Sequence, residues 1–288
     1  MTPVPFERLL GLPHLTVIAV SGQDAKTFLQ GQLSYDVERL SPARIELASC
    51  NSAQGRVQAV IWLLERSEGV FLLVPSSMTD LLLTRLRKYV LRAKVRIEAA
   101  ADRYQIGGAI GASLDVAPRT HQEIDGRSWI QWPGETPRVL CLADTSYPLP
   151  TTTEFSADWR RVDIASALPQ VYPETHEAFV AQMLNLDVLG GISFDKGCYT
   201  GQEIIARTHY RGTIKRRMFR FRASADVPTP GTRVVANDQH AGEVVDAVPT
   251  PEGCELLAVI TLAHINDALA LDVIERPALE RLPLPYQL

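Results

Sequence analysis

The stretch Lys196-Gly197-Cys198-Tyr199-Thr200-Gly201-Gln202-Glu203-Ile204-Ile205-Ala206-Arg207 gathers more chemically capable side chains than any other window of the chain. Thr200 and Glu203 stand at the S/T-x-x-E spacing of a capping box, in which hydroxyl and carboxylate satisfy orphan N–H groups at a helix start. That spacing predicts a helix beginning near Thr200. Cys198 then lies just outside the positive helix end, two residues after Lys196, and both features favour thiolate over thiol. Gly197 and Gly201 are read as serving backbone geometry. Spacing alone leaves a second reading open: a turn between two elements, with Cys198 as a small buried apolar residue.

Working outward, Leu15 to Val20 is β-rich and runs into Ser21-Gly22-Gln23-Asp24, whose Ser21 and Asp24 are cap candidates. Ala25, Phe28, Leu29 and Leu33 then recur at helical spacing. Strand-like runs at 44–49, 57–65 and 70–74, with a turn at 51–55, predict an antiparallel meander. Helical spacing returns over 76–91, and a strand resumes at Val95-Arg96-Ile97. Residues 104–142 read as short strands joined by tight turns, and Gly107 to Gly111 lacks the β-α context of a dinucleotide fingerprint. Pro148, Pro150 and Thr151 to Thr153 read as a flexible link, and Met218 to Leu288 as a small antiparallel barrel.

The bulk properties exclude several classes. With 288 residues, 46% apolar and 22% charged, the chain suits a globular protein of two or three subdomains. The cysteines at 50, 141, 198 and 254 form no C-x-x-C pair, so no metal site is expected and the thiols read as reduced. No window approaches a membrane span and the N-terminus lacks a signal-peptide pattern, which predicts a cytoplasmic protein. A net charge of -4 means that any anion site is local. Such a cluster exists: Arg207, Arg211, Lys215, Arg216, Arg217, Arg220 and Arg222, with His209 among them. Strand alternation puts Arg220 and Arg222 on one face and Phe219 and Phe221 on the other. The cluster reads either as a solvated barrel face or as a site for carboxylate-rich or phosphate-rich partners.

The run Leu189-Gly190-Gly191-Ile192-Ser193-Phe194-Asp195-Lys196 to Glu203, continued by Ala206-Arg207, Arg211-Gly212 and Lys215-Arg216, resembles the YgfZ family of folate-binding proteins. These are relatives of the aminomethyltransferase, or T-protein, of the glycine cleavage system. Weaker matches at Gly22 to Val37, Gln182 to Leu186 and Leu284-Pro285-Tyr286 extend the resemblance almost end to end. It implies an α+β, T-protein-like, multi-lobed fold. Residues 1–211 would form two intertwined lobes linked near 148–153, and 212–288 a C-terminal β-barrel, around a central folate channel. It further implies tetrahydrofolate as ligand and a role in assembling, maintaining or repairing iron–sulfur enzymes, tRNA-modifying ones included.

On this resemblance Cys198 is the redox or sulfur-handling residue and Lys196 helps to hold its thiolate. Trp159 lines the folate site, where an aromatic face suits a pterin. Tyr199, Arg207, Arg211 and Lys215 are candidate folate contacts, the cations meeting the glutamate tail or an acidic partner. Glu203 caps the helix and orients Arg207, with Gly197, Thr200, Gly201 and Gln202 completing the motif. Three departures stand out: Ala165 where the family commonly has an acid, Leu15 where some members have an aromatic, and no acid in Gly55 to Val60. Glycine-cleavage activity is therefore not expected. The alternative is a folate-dependent one-carbon transferase or demethylase with Asp163 or Glu203 as base. Direct nucleic-acid binding by residues 207–222 is disfavoured by the net charge and the lack of an RNA-binding motif.

Overall fold

The computed structural model describes residue 5 and residues 8–146 and 149–288. The chain begins with β1 (Leu10–Gly11), β2 (Leu15–Ser21), α1 (Ala25–Gln30), β3 (Ile45–Asn51), β4 (Val57–Arg66), β5 (Gly69–Pro75), α2 (Thr79–Arg87) and β6 (Arg96–Ala99). Then follow β7 (Tyr104–Ile110), β8 (His121–Ile124), β9 (Arg127–Gln131), β10 (Arg138–Asp144), α3 (Thr153–Ala165) and α4 (Gln202–Arg211). The last part holds β11 (Arg216–Ala223), β12 (Arg233–Ala236), β13 (Gln239–Thr250), β14 (Gly253–Thr261), β15 (Leu269–Leu271) and β16 (Glu280–Leu282).

These strands make three antiparallel sheets. The first has the order β3-β4-β5-β2-β6, so the expected meander is present with β2 added between β5 and β6. Its strands read as nearly continuous apolar runs because both faces are covered. Ala59, Ile61 and Leu63 of β4 pack under Phe28, Leu29, Leu82 and Leu86 of the two helices. The alternate residues Val60, Trp62 and Leu64 face a larger central core. Ile130, Leu140 and Leu142 of the second sheet, ordered β1-β7-β10-β9-β8, enter the same core. Met218, Leu257 and Val259 enter it from the third sheet, ordered β15-β12-β13-β14-β11-β16. That third sheet curls into a half-barrel with β15 and β16 as its ends.

Helix α3 sits where the sheets meet. Its Trp159 has no exposed surface and lies against Gly108 of β7, where an added Cβ would be 2.5 Å from Cζ3. On the helix's other side, Arg160 reaches Asp246 of β13. The expected loose link before α3 is in fact ordered where it is described. Thr152 caps the helix by accepting from Phe155 N at 3.1 Å, and Pro150 O accepts from Gly11 N at 2.7 Å. Pro148 lies outside the described residues. The helix expected over 76–91 is shorter, a single 3-10 turn at Ser76–Met78 followed by α2, with Leu82, Leu83 and Leu86 buried and Leu81 exposed.

Since Gly108 has no room for a methyl group beside Trp159, Gly108→Ala overpacks the junction and costs about 1–3 kcal/mol, read as a lowered urea midpoint. An unchanged midpoint would refute the tight contact.

Candidate functional site

The motif loop is built differently from the capping box expected for it. Helix α4 begins at Gln202, and Gly201 precedes it at φ 84°, in the left-handed region. A Cβ there would stand 2.5 Å from Ser52 O and 3.0 Å from the Gly55 Cα. Glycine is required because the loop docks backbone to backbone on the β3–β4 turn. Thr200 makes no cap bond, and its N–H instead donates to Gly31 O at 3.2 Å. Close docking has displaced the local cap. Glu203 remains in the first turn, where the helix dipole favours it, but it forms no ion pair with Arg207 among the described residues.

Lys196 also departs from expectation. Its buried ammonium donates to the carbonyls of Gln30, Leu33 and Tyr35 at 2.8, 2.8 and 2.6 Å. All three donors are thereby engaged, and none is left for a thiolate. The side chain stitches the loop to the end of α1. Burial pulls its pKa down to about 8, while Asp36 and Glu38 pull the other way. Tyr199 is buried with its ring centroid 5.1 Å from Nζ, and burial pushes its pKa up. Gly197 and Cys198 are exposed, whereas Cys50, Cys141 and Cys254 are buried, so the reading of Cys198 as a buried apolar residue does not hold.

Most of the cationic cluster is neutralised by acids from other elements. Arg216 pairs with Glu243, Arg220 with Glu255 and Arg222 with Glu280. Arg217 holds Asp187 in a fork at 2.6 and 2.8 Å. Arg207, Arg211 and Lys215 are exposed and lack an acidic partner among the described residues.

A pocket of about 370 Å³ opens between the end of the first sheet, α3 and the half-barrel. Its walls include His14 and Leu15 at the start of β2, Ser76 after β5, Arg160 and Asp163 one turn apart on α3, Gln170, Tyr172, Pro173 and Glu174, and Asp246 of β13. Asp246 Oδ2 accepts from the Tyr172 hydroxyl at 2.9 Å, and Oδ1 is held by Arg160 and by Ala247 N. Burial pushes the Asp246 carboxyl up, opposed by Arg160. Asp163 Oδ1 accepts from Arg138 Nη2 at 2.8 Å and Trp132 Nε1 at 3.2 Å. Burial raises this carboxyl too, opposed chiefly by Arg138. Both His14 ring nitrogens, Gln170 Oε1 and Arg160 Nε are buried with no hydrogen-bond partner among the described residues. Burial and the Arg160 charge lower the His14 pKa to about 4, so its imidazole is neutral near pH 7.

Trp159 lies in the core behind this wall rather than on it, and Arg160 and Asp163 are the α3 residues that line the pocket. Leu15 does line it. The pocket and the motif loop share one end of the first sheet. Leu15 pairs with Pro75 there, and Gly55 of the β3–β4 turn lies against Gly201 O and Ile204. The loop that carries Gln170 and Tyr172 runs on to pair with β4, with Val57 N donating to Phe179 O at 2.7 Å. Along the acid-free segment 55–60, Gln58 Nε2 meets Glu177 Oε1 at 2.7 Å. His14, Gln170, Tyr172 and Asp246 carry no motif. The one available signal was Asp246 within Val244-Val245-Asp246-Ala247-Val248, since an acid in a buried apolar run needs a partner.

The backbone aligns with that of glycine cleavage system aminomethyltransferase T from Bartonella henselae, with a TM-score of 0.62 over 95% of this chain and 84% of that one. At 12% identity this is a likeness of fold. A tRNA-modifying protein YgfZ from Klebsiella pneumoniae is 31% identical over 310 residues, covering 97% of this chain and 93% of the relative. The chain belongs to the YgfZ family. A second YgfZ, from Edwardsiella ictaluri, is 34% identical over 239 residues, covering 76% of this chain and 72% of its own. No family model matches the chain. No helix among the described residues of this YgfZ-family chain is long and apolar enough to cross a membrane.

Two measurements check this geometry. A thiol-reactive chromophore should label Cys198 alone in the native protein and the other three cysteines only on unfolding; fast labelling of more than one thiol would contradict the burial. Because His14 has a folded pKa near 4 against an ordinary 6.5, the unfolded chain binds the extra proton between those values. Its contribution to stability is therefore full above pH 6.5 and is lost as pH falls toward 4. His14→Gln should flatten that limb of the stability–pH curve, and an unchanged slope would contradict a neutral buried His14.

Proposed function

We propose that this YgfZ-family chain is a folate-binding accessory protein that supports the assembly, maintenance or repair of iron–sulfur enzymes, tRNA-modifying ones among them. Exposed Cys198 is its sulfur-handling or redox group, in a cytoplasmic setting. The observation that carries the folate reading is the junction pocket, where buried polar atoms without protein partners converge beside a carboxylate and apolar edges. Such a pocket suits a ligand that is flat, apolar on its faces and polar on its rim, and a pterin is one. Asp163 would accept from the ring's N–H groups, Arg160 and His14 would meet its polar rim, and Leu15 and Pro75 would pack on its face. When bound, tetrahydrofolate supplies a carrier for one-carbon units.

In this reading Trp159 acts from behind, stiffening the wall that presents Arg160. Tyr199 and Lys196 hold the loop that presents Cys198. Arg207, Arg211 and Lys215, left unpaired, are the cations for a glutamate tail or for an acidic face of an iron–sulfur client. Asp246 brings residues 212–288 into the site, so that the half-barrel and the 1–211 lobes bind together.

Titration calorimetry with tetrahydrofolate tests the reading: saturable binding is expected, weakened about tenfold or more by Asp163→Asn. Cys198→Ser should bind folate normally yet fail to restore iron–sulfur enzyme activity in cells lacking the protein. Full restoration by that variant would end the thiol role.

A further inference from the structure

We propose that the cleft between α4 and the start of β11 is a socket for a single tyrosine side chain, carried on an acidic segment of a partner protein. It rests on the acidic-partner reading of Arg211 and Lys215 and adds the side chain that anchors such a partner. The cleft has a volume of about 220 Å³, with Val180, Met183 and Ile214 as its apolar sides. Gln182 also lines it and is only 1% exposed. Its Nε2 donates to Ile205 O at 2.7 Å, while Oε1 has no hydrogen-bond partner among the described residues. Arg216, a further lining residue, spends Nη2 on Glu243 and keeps a buried Nε with no partner among those residues. The remaining polar lining is Thr208, whose hydroxyl donates to Ile204 O at 2.8 Å, and the exposed Thr213 and Lys215.

A buried acceptor and a buried donor, both unpaired, together set the chemistry of the occupant, because a ligand that matches only one leaves the other as a penalised polar atom. A phenol hydroxyl does both at one atom, donating to Gln182 Oε1 and accepting from Arg216 Nε. An indole N–H only donates, and a carboxylate only accepts. Serine and asparagine have no apolar body to cover Val180, Met183 and Ile214, whereas a phenol ring does, and the Met183 thioether favours an aromatic neighbour. The acidic flank follows from charge. Arg211 lies one turn beyond Thr208 on α4 and Arg207 one turn before Arg211, both exposed and, like Lys215, without an acidic partner among the described residues. These three cations extend past the cleft along the helix, further than the one carboxylate of a free phenolic acid reaches, and a run of acidic residues matches them.

Calorimetry on the full chain with the blocked peptide Asp-Glu-Tyr-Glu-Asp, its phenylalanine counterpart and free 4-hydroxyphenylacetate tests the socket. The tyrosine peptide should bind about tenfold more tightly than the phenylalanine peptide, since a site built to hydrogen-bond a hydroxyl rejects the analogue that lacks it. Gln182→Met should narrow that ratio, with circular dichroism confirming the fold, whereas Lys215→Glu should weaken both peptides alike. In the unaltered protein labelled at its methionine methyl groups, the Met183 signal, assigned through Met183→Leu, should shift by ring current when the tyrosine peptide binds. Equal affinities for the two peptides, or a Met183 signal that the bound peptide leaves in place, would overturn the socket while the acidic-partner reading stands. Binding of 4-hydroxyphenylacetate as tight as that of the peptide would overturn a partner segment as the occupant. Failure of both peptides to bind would remove the acidic-partner reading and the socket with it.

Discussion

Everything at the junction depends on the buried guanidinium of Arg138. It has no exposed surface, donates to Trp159 O, Pro133 O and Asp163 Oδ1, and lies 4.8 Å from the Trp159 ring centroid. Burial disfavours charge on both members of the pair, lowering the pKa of Arg138 and raising that of Asp163. Each opposes the shift in the other, so the pair is stable only as a pair, and removing one member typically costs about 3–5 kcal/mol. Through it α3 is locked to the second sheet. One residue along the helix, Arg160 makes the second lock, to Asp246 of the half-barrel. The pocket lies beside these two locks, which place the charged groups Asp163, Arg160 and Asp246 on its wall.

The motif loop follows a different logic. Lys196 is spent on three carbonyls, and the helix start is set by Gly201. These residues make a rigid mount, and Cys198 is what the mount presents to solvent. The same end of the first sheet that receives the mount also bounds the pocket, through the segment from Gln170 to Phe179. A thiol and a pocket are therefore tied to one edge of the sheet although they come from distant parts of the chain.

Much of the architecture was legible in the sequence. Periodicity located β2 to β5, α1 and the strand-rich C-terminal part, since the burial of alternate side chains writes a period of two directly into the residue order. The motif residues were legible as a group, and the family with them. Their separate tasks were not. Thr200 and Glu203 fit a capping box by spacing, but the approach of Gly201 to Ser52 and Gly55 outweighs a local hydroxyl–amide bond. Six arginines between 207 and 222 look like a cationic patch, yet four of them meet acids at 187, 243, 255 and 280.

By itself the sequence determined what local and periodic physics controls: which segments are strands, where glycine must stand, and which family the chain joins. Only the tertiary structure decided which polar groups face one another. Lys196 is held by carbonyls more than 160 residues away, and Arg160 meets an aspartate 86 residues on. Pairings at such separations depend on how three sheets pack, a property of the whole core that no window of residues contains. Lys196 thus turns from a partner of Cys198 into the anchor of the loop that carries it.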